Sequence, residues 1–262
     1  MQIDISPIAA FRDNYFWCAC RPGSAEAVVV DPGAAEPVIR YLDIHHLTLH
    51  TILITHRHPD HVGGVVELLR RYPEIPVYGP KSETIPKVTH SLQGGDYVEL
   101  DVLGLSFEVI DVPGHTEGHI AYYCKDYNPP ILFCGDTLFS VGCGRLLGGT
   151  AQQLHNSLQK LAALPSQTRV YCAHEYTLSN IRFAKQVEPD NTALSDYERH
   201  IIKLREQQIP SVPSTLALEL AVNPFLRVTQ ESVKQRVEIY RSVRTGTPAD
   251  VFTELRRWKD TF

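Results

Sequence analysis

Apolar residues recur along the chain in two rhythms. Short apolar runs stopped by glycine, proline or aspartate alternate with stretches in which apolar positions return every three or four residues. Ala27-Val28-Val29-Val30, closed by Asp31-Pro32-Gly33, predicts a strand and a turn. Thr51-Ile52-Leu53-Ile54 predicts a buried strand, and Leu105 to Val112, Ile120 to Cys124, Ile131-Leu132-Phe133-Cys134 and Val170-Tyr171-Cys172 predict others. Helices are predicted over 36–42, over 62–71 with Val62, Val65, Val66 and Leu69 on one face, and over 151–164 with Leu154, Leu158, Leu161 and Ala162 on one face. Beyond about residue 175 strands almost vanish. Helical stretches over 178–187, 197–207, 230–241 and 248–258 follow one another, separated by loops such as Ile209-Pro210-Ser211-Val212-Pro213. The pattern predicts an α/β body over 1–175 and a helical region over 176–262.

Composition narrows the class. The chain has 262 residues, 43% hydrophobic and 21% charged, which excludes a disordered, collagen-like or coiled-coil protein. A formal net charge of -5 argues against nucleic-acid or anionic-membrane partners. No apolar run approaches the roughly 20 residues that span a bilayer. The N-terminal Met1-Gln2-Ile3-Asp4-Ile5 has neither the basic leader nor the apolar core of a signal peptide, so a cytoplasmic location is expected. The six cysteines agree. Cys18 and Cys20, two apart on a strand, would lie roughly 7 Å from each other, a poor disulfide geometry. Cys124, Cys134, Cys143 and Cys172 show no metal or disulfide spacing, so reduced, mostly buried thiols are expected.

The chemistry concentrates at strand ends. Thr55-His56-Arg57-His58-Pro59-Asp60-His61-Val62-Gly63-Gly64 follows a buried strand and precedes a helix. A loop there can aim imidazoles and a carboxylate at one point, as a nitrogen- and oxygen-ligated metal site requires. Val112-Pro113-Gly114-His115-Thr116-Glu117-Gly118-His119, Phe133-Cys134-Gly135-Asp136-Thr137 and Tyr171-Cys172-Ala173-His174-Glu175 repeat the grammar of apolar strand, small residue, then His or Asp. One such placement is ordinary turn chemistry. Four in one α/β chain point to a common rim carrying a metal cluster. His45, His46, His50, His90, His155 and His200 lack this grammar and are expected to be surface or packing residues.

His56-Arg57-His58-Pro59-Asp60-His61 resembles the HxHxDH signature of the metallo-β-lactamase superfamily, and His115, Asp136 and His174 follow in the order of its remaining ligands. Within it, Phe11-Arg12-Asp13-Asn14-Tyr15, Asp31-Pro32-Gly33, Cys134-Gly135-Asp136-Thr137-Leu138-Phe139, Gly142-Cys143-Gly144-Arg145, His174-Glu175-Tyr176-Thr177 and Asn223-Pro224-Phe225-Leu226-Arg227 are similar to segments of the glyoxalase II (hydroxyacylglutathione hydrolase) family, bacterial type. The resemblance runs from about residue 3 to the C-terminus. It implies an α/β fold, a metallo-β-lactamase-like αββα sandwich over 1–175 with catalysis there, and a helical substrate-binding domain over 176–262.

It also implies roles. One metal would be bound by His56, His58 and His115, a second by Asp60, His61 and His174, with Asp136 bridging, so that Asp60 and Asp136 also count as catalytic. Zinc suits these ligands, and iron or manganese are accepted as well. His119 is not a ligand in the family, and a supporting or packing role is expected. Arg145, Tyr176, Arg256 and Lys259 would bind the substrate, the last two meeting glutathione carboxylates from one helix face. Leu147 replaces the family's usual aromatic, removing a hydroxyl contact. The implied reaction is hydrolysis of S-D-lactoylglutathione to D-lactate and glutathione by a hydroxide held between the metals, the second step of methylglyoxal detoxification. The expected partner is thus a small-molecule thioester and the expected state a monomer. The rival readings are a mononuclear-iron persulfide dioxygenase of the same superfamily and a non-catalytic metal-binding protein.

Overall fold

A computed structural model describes residues 2–262. The backbone folds as two compact units, one running to Asp111 and resuming over Thr116–Gly135, the other made of Val112–His115 and Asp136–Phe262.

In the first unit, β1 (Asp4–Ala10), β2 (Asn14–Cys20), β3 (Glu26–Val30), β4 (Thr48–Leu53), β5 (Val77–Pro80) and β6 (His90–Leu92) form one sheet in chain order. β1, β2 and β3 are antiparallel, with Pro7 opposite Trp17 and Cys18 opposite Val29, and β3 to β6 run parallel. Parallel neighbours need crossovers. α1 (Ala35–Ile44) supplies one between β3 and β4, and α2 (Pro59–Val62) with α3 (Val65–Arg71) supplies the next. Val38 and Leu42 of α1 and Val65 and Leu68 of α3 are buried in one core with Phe16, Cys18, Val29 and Ile52. β7 (Tyr97–Leu100), β8 (Leu105–Asp111), β9 (Ile120–Cys124) and β10 (Ile131–Gly135) follow as an antiparallel meander. Every residue of β9 and β10 is buried, hence the unbroken apolar runs in their sequence. The Tyr122 hydroxyl of β9 donates to the Ile54 carbonyl at 2.9 Å, fixing the end of β4 from which the histidine loop departs.

The second unit holds the hairpin of β11 (Leu138–Phe139) and β12 (Gly142–Cys143), α4 (Ala151–Ala162), and β13 (Arg169–Cys172) paired with β14 (Ser214–Thr215). The remaining helices are α5 (Thr177–Val187), α6 (Thr192–Glu206), α7 (Leu216–Val222), α8 (Glu231–Arg241) and α9 (Pro248–Asp260). Val141, Ile181, Leu194, Ile201 and Val222 make one core. Phe183, Phe225, Phe252 and Trp258 make an aromatic nest, with Phe183 edge-on to Trp258 at 5.3 Å and Phe225 edge-on to Phe252 at 5.8 Å. Thr150 with Gln153 and Thr247 with Asp250 close capping boxes on α4 and α9, and Pro248 opens α9. Among the described residues no helix is long and apolar enough to cross a membrane.

The predicted helix over 62–71 is interrupted. A Cβ on Gly63 would lie 2.6 Å from the Gly33 carbonyl oxygen, and one on Gly64 would lie 2.6 Å from the Ala34 carbonyl carbon, so the glycines serve close packing and the helix restarts at Val65. α6 begins earlier than expected because the Asn191 side chain accepts from Leu194 N at 3.1 Å. The apolar pattern does not predict β5, β6, β7 or α7, which are too short to show a period.

Gly33 makes the tightest of these approaches, since a Cβ there would sit 1.9 Å from the backbone oxygen of Asp60. Gly33→Ala should therefore lower the free energy of unfolding by about 1–3 kcal/mol. An unchanged urea midpoint would contradict that packing.

Candidate metal centre

His56, His58, Asp60 and His61 lie in the first unit, where β4 runs out into α2. Their anchor is Asp31 at the end of β3. Asp31 accepts from Thr55 N at 2.7 Å through Oδ1 and from the Thr55 hydroxyl at 2.7 Å through Oδ2, and Oδ2 lies 3.1 Å from His61 Nδ1. The Thr55 hydroxyl, already donating to Asp31, lies 3.1 Å from His56 Nδ1. These bonds assign the proton of both rings to Nδ1 and leave Nε2 carrying the lone pair, the tautomer of an Nε2 metal ligand. Asp31, Thr55, His56 and His61 are all buried. Ligand-type atoms of Asp31, His56 and His61 lie within 4.8 Å of one another, but the Asp31 oxygens are engaged by Thr55 and His61.

The remaining contacts of this set turn donor atoms toward each other. His56 Nε2 is 3.0 Å from His58 Nδ1, and His61 Nε2 is 3.5 Å from Asp60 Oδ2. Asn14, buried at the start of β2, donates to that same Asp60 oxygen at 3.0 Å. His119 stacks on His56 with ring centres 4.5 Å apart, and its Nδ1 donates to the Ile120 carbonyl at 3.0 Å. It backs the His56 ring, which is a supporting contact.

The second unit carries His115, Asp136 and His174. Asp136 Oδ1 is 3.3 Å from His174 Nε2, and Oδ2 is 3.4 Å from His115 Nε2. Each oxygen of one carboxylate thus faces a different imidazole. His115 Nδ1 donates to the Arg145 carbonyl at 2.8 Å, which again presents Nε2. The His174 ring stacks on Tyr176 at 4.7 Å, and Phe139 meets it edge-on at 5.8 Å.

These donor sets fit a divalent ion. With Zn–N bonds of about 2.0–2.1 Å, neighbouring donors of a tetrahedron are about 3.3 Å apart. The spacings here are 3.0, 3.5, 3.3 and 3.4 Å. Neutral imidazoles and carboxylates are ligands that zinc, iron and manganese all accept.

The cationic residues separate into two kinds. Arg256 is 3% exposed; its Nη1 donates to the Cys143 carbonyl at 3.1 Å, and its Nη2 pairs with Asp260 at 3.0 Å. Lys259 is half-buried, with Nζ over the rings of Phe183 at 5.1 Å and Phe262 at 5.3 Å. Burial first, then the nearby charges of Arg256 and Arg145, holds its ammonium down to about 8. Leu147 is 53% exposed. His45, His46, His90 and His200 are exposed, His50 is half-buried, and His155 packs on Phe252 at 5.4 Å. Asp31, Thr55 and Asn14 had no functional reading in the sequence, although Asp31 shares the strand-end grammar of the ligands.

Histidines and aspartates at strand ends, turned to show metal-binding atoms, are what a divalent-metal protein requires. The model of the metallo-beta-lactamase superfamily matches residues 21–174, and that of the hydroxyacylglutathione hydrolase C-terminus matches residues 175–262. Hydroxyacylglutathione hydrolase of Aliivibrio fischeri strain MJ11 is 50% identical over 261 residues, covering 100% of both chains. That of Pseudomonas aeruginosa strain LESB58 is 51% identical over 262 residues, again covering 100% of both. The crystal structure of ETHE1 from Myxococcus xanthus shares the fold, with a TM-score of 0.64 at 23% identity over 100% of this chain and 99% of that one. The chain belongs to the hydroxyacylglutathione hydrolase family of the metallo-beta-lactamase superfamily.

Arg256→Ala should cost about 2–4 kcal/mol of stability, because a buried guanidinium and its carbonyl partners lose each other. Lys259→Ala should cost under about 1 kcal/mol, since its hydrogen bonding is slight. Urea unfolding of both variants checks the contrast, and equal losses would contradict it.

Proposed function

We propose that the protein hydrolyses glutathione thioesters, converting S-D-lactoylglutathione to D-lactate and glutathione in the second step of methylglyoxal detoxification. The observation that carries this reading is family membership along the whole chain, including the helical region that matches the hydroxyacylglutathione hydrolase C-terminus. Relatives at about half identity bear that activity as their name. That match of the C-terminal region favours hydrolysis over the persulfide dioxygenase reading.

Bound divalent ions, zinc by donor chemistry with iron or manganese also suited, supply Lewis acidity to a carbonyl and acidify water toward neutral pH. His56, His58 and His115 would hold one ion, Asp60, His61 and His174 the other, and Asp136 would serve both. In support, each oxygen of Asp136 faces its own imidazole. Asp31 and Thr55 hold the tautomers of His56 and His61, and the Arg145 carbonyl holds that of His115. Asn14 steadies Asp60. Asp60 and Asp136 offset the positive charge and accept hydrogen bonds from the attacking water. The oxygen of water adds to the thioester carbonyl carbon while one of its protons passes to solvent by way of Asp60. The C–S bond breaks, glutathione leaves as thiolate, and the acid formed ionises to D-lactate. A thiolate is stable enough that no strong acid has to protonate it in the same step.

Residues 1–175 carry the chemistry and residues 176–262 the recognition, helped by Arg145. Lys259 and Arg145 attract the glutathione carboxylates, Tyr176 offers its hydroxyl, and Arg256 adds charge while bracing Cys143. Six reduced cysteines, with burial pushing Cys18 and Cys172 up to about 12, suit the cytoplasm.

Protein purified without chelator should hold about two metal equivalents, and Asp136→Ala should lose metal and hydrolysis together. Metal analysis showing both ions retained in Asp136→Ala would exclude the bridging role. Lys259→Ala should raise KM for the thioester about tenfold, the worth of one charge-assisted bond. The ammonium is charged below its pKa of about 8 and loses its proton above it. KM of the natural chain should accordingly rise between pH 7 and 9, and that of Lys259→Ala should stay flat; parallel profiles would remove Lys259 from the binding site.

A further inference from the structure

The His56–His58 segment is held from a direction that the sequence does not announce. Glu83 follows β5 in the polar stretch Lys81-Ser82-Glu83-Thr84. Its side chain is 0% exposed, and its carboxylate points back at the histidine loop. Oε2 accepts from the Arg57 backbone N–H at 2.6 Å, and Oε1 accepts from the Arg57 guanidinium at 3.3 Å and from Gly118 N at 3.2 Å.

Two of these bonds bear on metal-binding atoms. The Arg57 N–H belongs to the peptide that leaves His56, and Arg57 separates His56 from His58. A carboxylate fixing that peptide plane fixes the relative direction of the two side chains on either side of it. Gly118 immediately precedes His119, whose ring stacks on His56. The same carboxylate therefore ties down the loop that backs His56. The approach is close, since a Cβ on Gly118 would lie 2.5 Å from Glu83 Cγ. A charged acceptor binds N–H groups more strongly than a neutral one. In a buried setting, its removal leaves those groups unsatisfied.

We propose that Glu83 is a positioning residue that sets the 3.0 Å approach of His56 Nε2 to His58 Nδ1, and with it the affinity of the ion these histidines serve. The proposal rests on the reading of His56 and His58 as ligands. Glu83 touches neither the ion nor the substrate; it acts through the backbone of Arg57 and Gly118. Outer partners of metal ligands are worth about 10–100-fold in metal affinity. An effect of that size on one ion is expected here.

The test titrates zinc into the apo forms of the natural chain, Glu83→Gln and Glu83→Ala against a chromophoric chelator, and records the visible spectrum of each with cobalt in place of zinc. The natural chain should take up two ions. Glu83→Ala should bind one of them 10–100-fold more weakly, with an altered cobalt spectrum. Glu83→Gln, which keeps the volume and one acceptor, should fall between them. If Glu83→Ala does not fold, Glu83→Gln decides: unchanged affinities and spectrum in it would overturn the proposal. Equal weakening of both ions alongside a lowered urea midpoint would also overturn it, since that is general loosening of the fold. If the natural chain takes up no metal, the ligand reading itself fails, an outcome distinct from failure of Glu83 alone.

Discussion

One buried carboxylate in the first unit holds a ring nitrogen of two strand-end histidines, directly at one and through a hydroxyl at the other. Asp31 engages Thr55 twice and His61 once, and through the Thr55 hydroxyl reaches His56. Its φ of 52° is the left-handed region, which aspartate tolerates better than most residues. The turn that follows brings Gly33 against the Asp60 backbone, so the end of β3 and the histidine loop form one packed piece. Loss of this carboxylate would free two imidazoles to rotate and leave a buried hydroxyl and amide without their acceptor.

In the second unit, buried polar groups clamp the β11–β12 hairpin. Asn223 donates to the carbonyls of Phe139 at 3.2 Å and Gly142 at 2.9 Å and to Glu219 at 3.0 Å, and Glu219 accepts from Val141 N at 2.8 Å. Val141 has a φ of 58°, a strained conformation for a β-branched residue that persists because its neighbours over-determine it. Burial raises the carboxyl of Glu219, while its hydrogen bonds oppose the rise. The clamped hairpin presents Phe139 to the His174 ring and the Cys143 carbonyl to Arg256. Helices of the C-terminal region thereby shape the surroundings of the His174 ring.

What was legible in the sequence follows from these physical roles. One histidine or aspartate after an apolar strand is ordinary turn chemistry, and it is the repetition of four such placements that makes a metal rim the expectation. The long helices and most of the buried strands showed in the apolar pattern, whereas β1 did not. Asp31 escaped because aspartate before Pro-Gly reads as a turn, which it also is. Glu219 escaped because a carboxylate in Leu216-Ala217-Leu218-Glu219-Leu220 looks like the polar face of a helix, yet Glu219 is 0% exposed and Leu220 38%. Arg256 reads as a cation for the substrate carboxylates, and its near-complete burial against Cys143 is a tertiary fact with no local signature. The glycine breaks at Gly63 and Gly64 depend on a distant turn and are invisible to a helical window.

Hydrolysis of the thioester needs water as its sole co-substrate. It is tested most directly by incubating the zinc- and iron-loaded protein with S-D-lactoylglutathione under strictly anaerobic conditions and titrating the released thiol. The account predicts stoichiometric free glutathione and D-lactate without oxygen. No anaerobic thiol release, together with oxygen consumption when glutathione persulfide is supplied, would contradict it.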